Sequence, residues 1–439
     1  MKILLVGSGA REHAIAKAIA RSHGAELFSF MSGKNPGIAK ISKEWAVGNI
    51  CDVNAVTNWT KSRPVELAVI GPEAPLNSGI SDSLAQAGIP CAGPSKKAAQ
   101  LECDKSFARN LMKKHKIPGC PKFGVFSDAS EASRFIDSLG EVVIKPAGLT
   151  GGKGVKVMGP HLKSKEEAKA YAKEVLEAKI GILPSVVIEE KLIGQEFTLQ
   201  AFVDGKNISP MPAVQDHKLA FDGDKGPNTG GMGSYSDAGD LLPFLTQKDY
   251  GSGLETMKKT ILALAKEGMP YRGFLYGQFI ATKKGVSVIE FNARLGDPEA
   301  MNVLSLLESD FAEILRQITE GNLKPARFSK KATVCKYLVP EGYPEKPKKN
   351  ERIEVNEREI EKLGAQFFYA SVDERENVIY EMGSRTVAVL GVGDSIYDAE
   401  KIAEKATSFV SGPLFHRKDI GTKELVAKRI GHMKELRKI

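Results

Sequence analysis

Val288-Ile289-Glu290-Phe291-Asn292-Ala293-Arg294-Leu295-Gly296-Asp297-Pro298-Glu299 opens as an apolar strand and closes on a glycine and a proline. Side chains along a strand alternate faces, so Glu290, Asn292 and Arg294 share one side, while Ile289, Phe291 and Ala293 share the other and pack into a core. The polar set joins a carboxylate, a carboxamide oxygen and a guanidinium. That combination suits a hard divalent cation and the phosphates it bridges. The alternative is an edge strand whose polar face meets water. Gln278 falls in the preceding strand, expected over 273–282, where antiparallel pairing would present it to the same cation as Glu290.

Upstream of this pair, Asp216-His217-Lys218 leads into a loop over 222–236 that contains Gly226-Pro227-Asn228-Thr229-Gly230-Gly231-Met232-Gly233-Ser234. Its glycines are interleaved with Asn228, Thr229 and Met232 rather than set in a Gly/Ser repeat, which favours a functional loop over a linker. Strands are expected over 197–204 and 209–215, a long helix near 246–267, and two helices after the opening strand.

The segment 104–192 starts with Asp104 as a helix N-cap, followed by Phe107 and Leu111 one turn apart. A strand over 141–145 then meets Pro146-Ala147-Gly148-Leu149-Thr150-Gly151-Gly152-Lys153-Gly154, and a second strand follows over 155–158. Glycines around a lysine at a hairpin tip let the backbone close over phosphates while Lys153 supplies charge. A Walker A loop is excluded, because Gly154 stands where that motif needs Ser or Thr. Ser164 and Glu167 have the spacing of a capping box for a helix over 164–178. The strand over 186–190 runs into Glu189-Glu190-Lys191-Leu192. It either recognises an adenine edge and ribose or simply ends a strand.

Residues 1–100 alternate strand and helix, with strands over 3–6, 26–30, 67–70 and 89–92, as in a parallel, doubly wound sheet. Gly7-Ser8-Gly9-Ala10 places backbone N–H groups at a helix N-terminus, either as a phosphate site or as a tight turn. It is not a dinucleotide fingerprint: Glu12 replaces the third glycine, and no acidic residue lies between Phe28 and Ile41. Gly71-Pro72-Glu73 ends the strand over 67–70, where open sheets bind ligands, so Glu73 either holds sugar hydroxyls or faces solvent. At the other end of the chain, short strands over 332–338, 366–370 and 386–391 and one amphipathic helix over 396–409, capped by Ser395, suggest a small α+β lid. The charged run 351–362 is expected to be exposed.

A chain of 439 residues exceeds one compact core, so two to four domains are expected. With 42% hydrophobic and 26% charged residues it has the balance of a globular protein, and no apolar run reaches membrane-spanning length. The first strand follows Met1-Lys2 directly, leaving no room for a secretory signal. Cys51, Cys91, Cys103, Cys120 and Cys335 form no CxxC pair, which argues against zinc and disulfide frameworks and for a cytoplasmic location. The net charge of +8 is spread along the chain, and no aromatic platform stands among clustered basic residues. Phosphorylated small substrates account for it better than nucleic acid does.

Ser8-Gly9-Ala10-Arg11-Glu12-His13, Gly71-Pro72-Glu73-Ala74-Pro75-Leu76, Lys145 with the loop to Gly154, and Gln215-Asp216-His217-Lys218 resemble the phosphoribosylamine–glycine ligase family of the ATP-grasp superfamily. So do Gly226 to Tyr235, Glu290 to Glu299 and Arg417-Lys418-Asp419-Ile420-Gly421, in order along about residues 1 to 421. The resemblance implies a multidomain α/β and α+β fold. Its parts are an N-terminal doubly wound parallel sheet (1–103) that takes phosphoribosylamine, an ATP-grasp core of two α+β lobes (104–330, mobile lobe about 121–192) and a small C-terminal α+β domain (331–439).

The implied reaction joins glycine to 5-phosphoribosylamine with ATP, through glycyl phosphate, in purine biosynthesis. By the same resemblance, Lys105, Lys145 and Lys153 contact ATP phosphates, and Glu189, Glu190, Leu192 and Glu196 border the adenosine. Glu290, Asn292 and Gln278 hold Mg²⁺ or Mn²⁺. Arg294, Asp297, Asp216 and Lys218 lie near glycine and the acyl phosphate, and Gly9, Arg11 and Glu73 face phosphoribosylamine. The expected partners are these small molecules alone, with no nucleic acid, no membrane and a monomeric chain. Another ATP-grasp carboxylate–amine ligase would share the lysines and Glu290 without needing 226–235 or 417–421. A non-enzymatic nucleotide-binding protein would not need the cation face and the anion loop together.

Overall fold

The computed structural model describes residues 1–150, 154–181 and 183–438. Lys153, expected at the tip of the glycine hairpin, lies outside them. The N-terminal sheet is parallel throughout, in the order Glu44–Val47, Glu26–Met31, Lys2–Val6, Leu67–Ile70, Cys91–Ala92. Its central strands are continuous apolar runs because helices cover both faces. Ile3, Leu4, Leu5 and Val6 are fully buried, as a doubly wound sheet requires.

A four-stranded antiparallel sheet forms the floor of the middle region, in the order Ile208–Pro210, Gly194–Asp204, Arg272–Thr282, Gly285–Asn292. Its register follows from aromatic cross-strand pairs. Phe197 lies opposite Phe279 and Phe202 opposite Phe274, with ring centroids 5.5 and 5.9 Å apart. A second four-stranded sheet, Phe123–Phe126, Val186–Glu190, Val142–Pro146, Lys156–Val157, has its own apolar cluster around Ile144, Ile188, Tyr171 and Val175. This separate core makes the sheet a packing unit of its own.

The C-terminal segment is not a detached lid. Its strand Ala332–Pro340 pairs with Gly233–Ser236 of the middle region on one side and with Val387–Gly393 on the other. One sheet therefore runs from Gln215–Asp216 to Gln366–Tyr369 across the chain's two halves. Besides the helix Ile396–Thr407, the segment carries Glu357–Lys362 and a long final helix, Lys423–Arg437. Arg437 returns this helix to the middle region by a two-bond pair to Asp249, at 2.9 and 2.7 Å. The charged run 351–362 is only partly exposed, since Ile353 and Ile360 are buried under it. No helix among the described residues is long and apolar enough to cross a membrane.

Three local expectations change. The loop over 222–236 contains a hairpin, Leu219–Phe221 with Lys225–Asn228, and then the strand Gly233–Ser236. The segment 209–215 divides between two sheets. Ser164 does cap its helix by accepting from the Glu167 N–H, but the Glu167 carboxylate accepts from Lys163 N instead of closing a box.

Candidate active site

The strand Gly285–Asn292 carries an extra residue. Gln278 faces Glu290, while its neighbour Phe279 faces Val288. Ile289 is the bulged residue between them, and Val288 rather than Ile289 fills the core. The bulge frees the Ile289 carbonyl from the ladder, and Lys145 Nζ and Arg109 Nη2 donate to it at 2.9 and 2.8 Å.

Glu290 and Asn292 do share a face, opposite Gln278 and Tyr276. Lys218 Nζ lies 3.8 Å from the Glu290 carboxylate and donates to Gln278 Oε1 at 2.6 Å, while Gln278 Nε2 donates to Glu196 at 2.6 Å. Burial works to raise the Glu290 carboxyl, but Lys218, Lys145, Lys105 and Arg294 outweigh it and hold it below its ordinary value. The carboxylate therefore keeps its negative charge among these cations. In the orientation that satisfies both ends, the Asn292 carboxamide nitrogen donates to Glu102 at 2.9 Å, which turns its oxygen away from that carboxylate. Glu290 and Asn292 offer hard oxygens of the kind Mg²⁺ and Mn²⁺ take, while the Gln278 oxygen is already occupied by Lys218.

Lys145 sits in a buried ion-pair cluster. Glu189 accepts from Arg109 Nε and Nη2 at 2.6 and 3.1 Å and pairs with Lys145 Nζ at 2.9 Å. Burial opposes ionisation of Glu189, but Arg109 and Lys145 bring its carboxyl down to about 2. Its carboxylate is thus fully engaged inside the protein by Arg109 and Lys145, which leaves its backbone for the expected adenosine border. Lys105 anchors the glycine hairpin, donating from Nζ to Gly148 O at 3.0 Å and from its backbone to Ala147 O at 2.8 Å. Glu190 accepts from Lys122 N, and Leu192 lies in the extended link between the strands Val186–Glu190 and Gly194–Asp204.

Arg294 is held by two carboxylates, Glu102 at 2.9 Å and Glu73 at 3.3 Å. Burial pushes the Glu102 carboxyl up to about 7 despite Arg294. Burial also acts on Glu73, but Arg294 and Arg11 bring that carboxyl down to about 2. The N-terminal loop brings Arg11 to the same wall, where its Nη1 donates to Leu295 O at 3.3 Å. The anion loop is partly filled by the protein itself: Glu12 accepts from Gly9 N at 2.7 Å and from Arg11 Nε at 2.6 Å. A Cβ at Gly71 would stand 2.2 Å from the Glu12 carboxylate, so a side chain there would displace it.

Asp216 and Asp297 line the opposite wall. Burial and the charge of Glu299 hold the Asp216 carboxyl well above its ordinary range. Asp297 accepts from Tyr337 OH at 2.5 Å and pairs with Arg385 at 3.1 Å. Glu299, next to the same turn, accepts from Thr198 and Tyr276. The motif Arg417-Lys418-Asp419 clamps the hairpin beside this wall. Arg417 forks onto Asp419 and reaches Asp224, and Asp419 accepts from Gly223 N.

Most of the sequence-predicted residues therefore meet around Glu290, Arg294 and Asp297. Among the described residues no hydrogen bond or ion pair joins Glu190 or Leu192 to them, and Lys153 lies outside that set. Four members were missed. Arg109 was within reach, one helical turn after Lys105. Glu102 precedes the cap Asp104 and gives no periodic signal, and Tyr337 and Arg385 come from a distant segment that only the fold brings near.

A strand-borne carboxylate faced by lysines, between two antiparallel sheets of which one has an apolar core of its own, is the arrangement of the ATP-grasp class of ATP-dependent ligases. The fold agrees: the biotin carboxylase domain of 2-oxoglutarate carboxylase from Hydrogenobacter thermophilus, solved with magnesium–ADP, superposes with a TM-score of 0.70 at 16% identity over 99% of this chain and 93% of that one. Family models described as phosphoribosylglycinamide synthetase match the N domain over residues 1–102, the ATP-grasp (A) domain over 103–300 and the C domain over 333–423. The phosphoribosylamine–glycine ligase of Methanosarcina barkeri is 53% identical, covering 100% of both chains, and that of Pyrococcus furiosus is 51% identical, covering 100% of this chain and 98% of its own. The crystal structure of phosphoribosylamine–glycine ligase from Thermotoga maritima has a TM-score of 0.82 at 29% identity, over 95% of this chain and 100% of that one. The chain belongs to the phosphoribosylamine–glycine ligase family.

Proposed function

We infer that the chain joins glycine to 5-phosphoribosylamine with cleavage of ATP, giving glycinamide ribonucleotide, ADP and phosphate in purine biosynthesis. The observation that carries this reading is the convergence of Glu290, Lys105, Lys145, Lys218 and Arg294 in a chain matched along its length by the family.

Glycine's carboxylate is a poor acyl donor because oxide is a poor leaving group. Phosphorylation makes a mixed anhydride, glycyl phosphate, that a neutral amine can attack. Phosphoryl transfer asks mainly for positioning and charge neutralisation. Lys105, Lys145 and Lys153 are assigned to the ATP phosphates, with Lys145 aimed by Glu189 and Arg109. Glu189 (through its backbone), Glu190, Leu192 and Glu196 are assigned to the adenosine border. Glu290 and Asn292, with Gln278 beside them, would hold Mg²⁺ or Mn²⁺, which would supply charge neutralisation for the phosphates.

Arg294 is assigned to the oxygens of the transferring phosphoryl and acyl groups, because its planar fork meets two at once. Asp216, Lys218 and Asp297 orient glycine. The wall of Gly9, Arg11 and Glu73 receives phosphoribosylamine, its amine facing Arg294's side of the site. The functional units follow 1–103, 104–330 and 331–439, with 121–192 as the moving lobe, in a monomer of the cytoplasm. The test is mass-spectrometric product identification from ATP, glycine and freshly made phosphoribosylamine. Glycinamide ribonucleotide is expected, and ATP-dependent ligation of a different amine in its place would favour another carboxylate–amine ligase.

A further inference from the structure

Arg385 belongs to the C-terminal segment, yet its guanidinium holds two separate stretches of the candidate site together. Nη1 donates to the carbonyls of Gly230 at 2.6 Å, Gly231 at 3.3 Å and Asp297 at 2.8 Å. Nη2 pairs with the Asp297 carboxylate at 3.1 Å. The guanidinium carbon lies 4.7 Å from the centre of the Tyr337 ring, and the same tyrosine donates its hydroxyl to the other Asp297 oxygen at 2.5 Å. Both Asp297 oxygens are therefore fixed from the C-terminal side.

The glycine loop is shaped to this clamp. A Cβ at Gly230 would stand 3.0 Å from the guanidinium carbon. Gly231 has φ +112°, a conformation side chains rarely adopt, and a Cβ there would stand 2.5 Å from Asp216. The loop thus lies between Arg385 and Asp216 with no room for side chains at either position. Arg385 is itself anchored, since its carbonyl accepts from Ser371 N at 2.8 Å and the next residue donates to Leu338 O at 2.9 Å.

We propose that Arg385 is a positioning residue: it sets the Asp297 carboxylate and the Gly230–Gly231 backbone as one rigid wall for the amino-acid substrate, so that the C-terminal domain is part of the catalytic unit. The inference rests on the reading of Asp297 as a residue of the glycine site. A planar fork with acceptors on two edges performs this task, and the point charge of a lysine does not.

The test measures glycine kcat/KM, ATP affinity by calorimetry and thermal stability for Arg385→Met, Arg385→Lys, Asp297→Asn and the Arg385→Met/Asp297→Asn pair. Arg385→Met is expected to lower glycine kcat/KM on the order of 10²-fold, as displacement of a site group by about 1 Å does. ATP affinity should stay unchanged, and Arg385→Lys should recover little. The double variant should lose no more than the worse single one, because both act through one carboxylate. In a further variant, Arg385→Ala, whose short side chain leaves room for it, added guanidinium ion should restore part of the activity, and it should restore none in Asp297→Asn. Equal losses for ATP and glycine, additive losses in the double variant, or full activity in Arg385→Lys would each overturn the proposal. Full activity in Asp297→Asn would instead overturn the underlying assignment of the glycine site.

Discussion

Glu189→Gln keeps the shape of a buried side chain and removes the negative charge that Arg109 and Lys145 share. In the wild type, Arg109 makes two bonds to this carboxylate and Lys145 one, at 2.6, 3.1 and 2.9 Å. Breaking a buried pair by neutralising one partner costs about 3–5 kcal/mol, because uncompensated charge stays buried. The titration leads to a similar figure. The Glu189 carboxyl falls from 4.5 to about 2, which at about 1.4 kcal/mol per tenfold change in proton affinity is about 3 kcal/mol. Because the folded state lowers this carboxyl, the stabilisation is fully present above pH 4.5 and is lost as pH falls towards 2. Two cations left facing each other should loosen the sheet that carries Val142–Pro146 and Val186–Glu190. Hydrogen exchange read by mass spectrometry should report amides in those strands opening on the order of 10²-fold faster in the variant at pH 7. The gap from wild type should shrink as pH is lowered below 4.5. An exchange difference corresponding to less than about 1 kcal/mol, or a gap independent of pH, would refute the reasoning.

Glu290→Gln removes the charge at the centre of the lysine ring; ATP-dependent turnover should fall by orders of magnitude with the melting temperature retained, and wild-type turnover in a folded variant would make the strand merely structural. Burial raises the Glu102 carboxyl from 4.5 to about 7, so the stability of its neutral form is full below pH 4.5 and lost as pH rises through about 7. Wild-type stability should accordingly decline relative to Glu102→Gln across that window, and parallel pH–stability curves would contradict it. Asp224→Ala leaves Arg417 and Arg429 without a shared partner. Exchange in the hairpin Leu219–Phe221 with Lys225–Asn228 should accelerate while ATP affinity holds, and an unchanged hairpin would show that Asp419 alone suffices.

The parallel N-terminal sheet was readable because its strands are unbroken apolar runs such as Ile3–Val6, set between helices. The pairing of Gln278 with Glu290 was readable from strand alternation on both partners. The bulge at Ile289 was not, because Val288 and Ile289 are both apolar, so alternation does not say which of them faces the core, and only the partner strand exposes it. The hairpin at 219–228 reads as loop because its strands are short and its stability comes from Arg417 and Asp419, some two hundred residues away in sequence. Glu189 has the look of a ligand-facing strand end. Its role became visible only once Arg109, on a helix, and Lys145, on the next strand, were seen to meet it. The final helix Lys423–Arg437 has weak amphipathic patterning and buries few residues, Leu425 and Met433 among them, so periodicity alone did not mark it.

The central claim is that glycine is activated as an acyl phosphate among these cations. If so, one carboxylate oxygen of glycine must leave with phosphate when the amine attacks. Glycine carrying heavy oxygen in its carboxylate should transfer one labelled atom to inorganic phosphate in each turnover of the wild-type protein. Glycinamide ribonucleotide formed alongside wholly unlabelled phosphate would contradict the acyl-phosphate route.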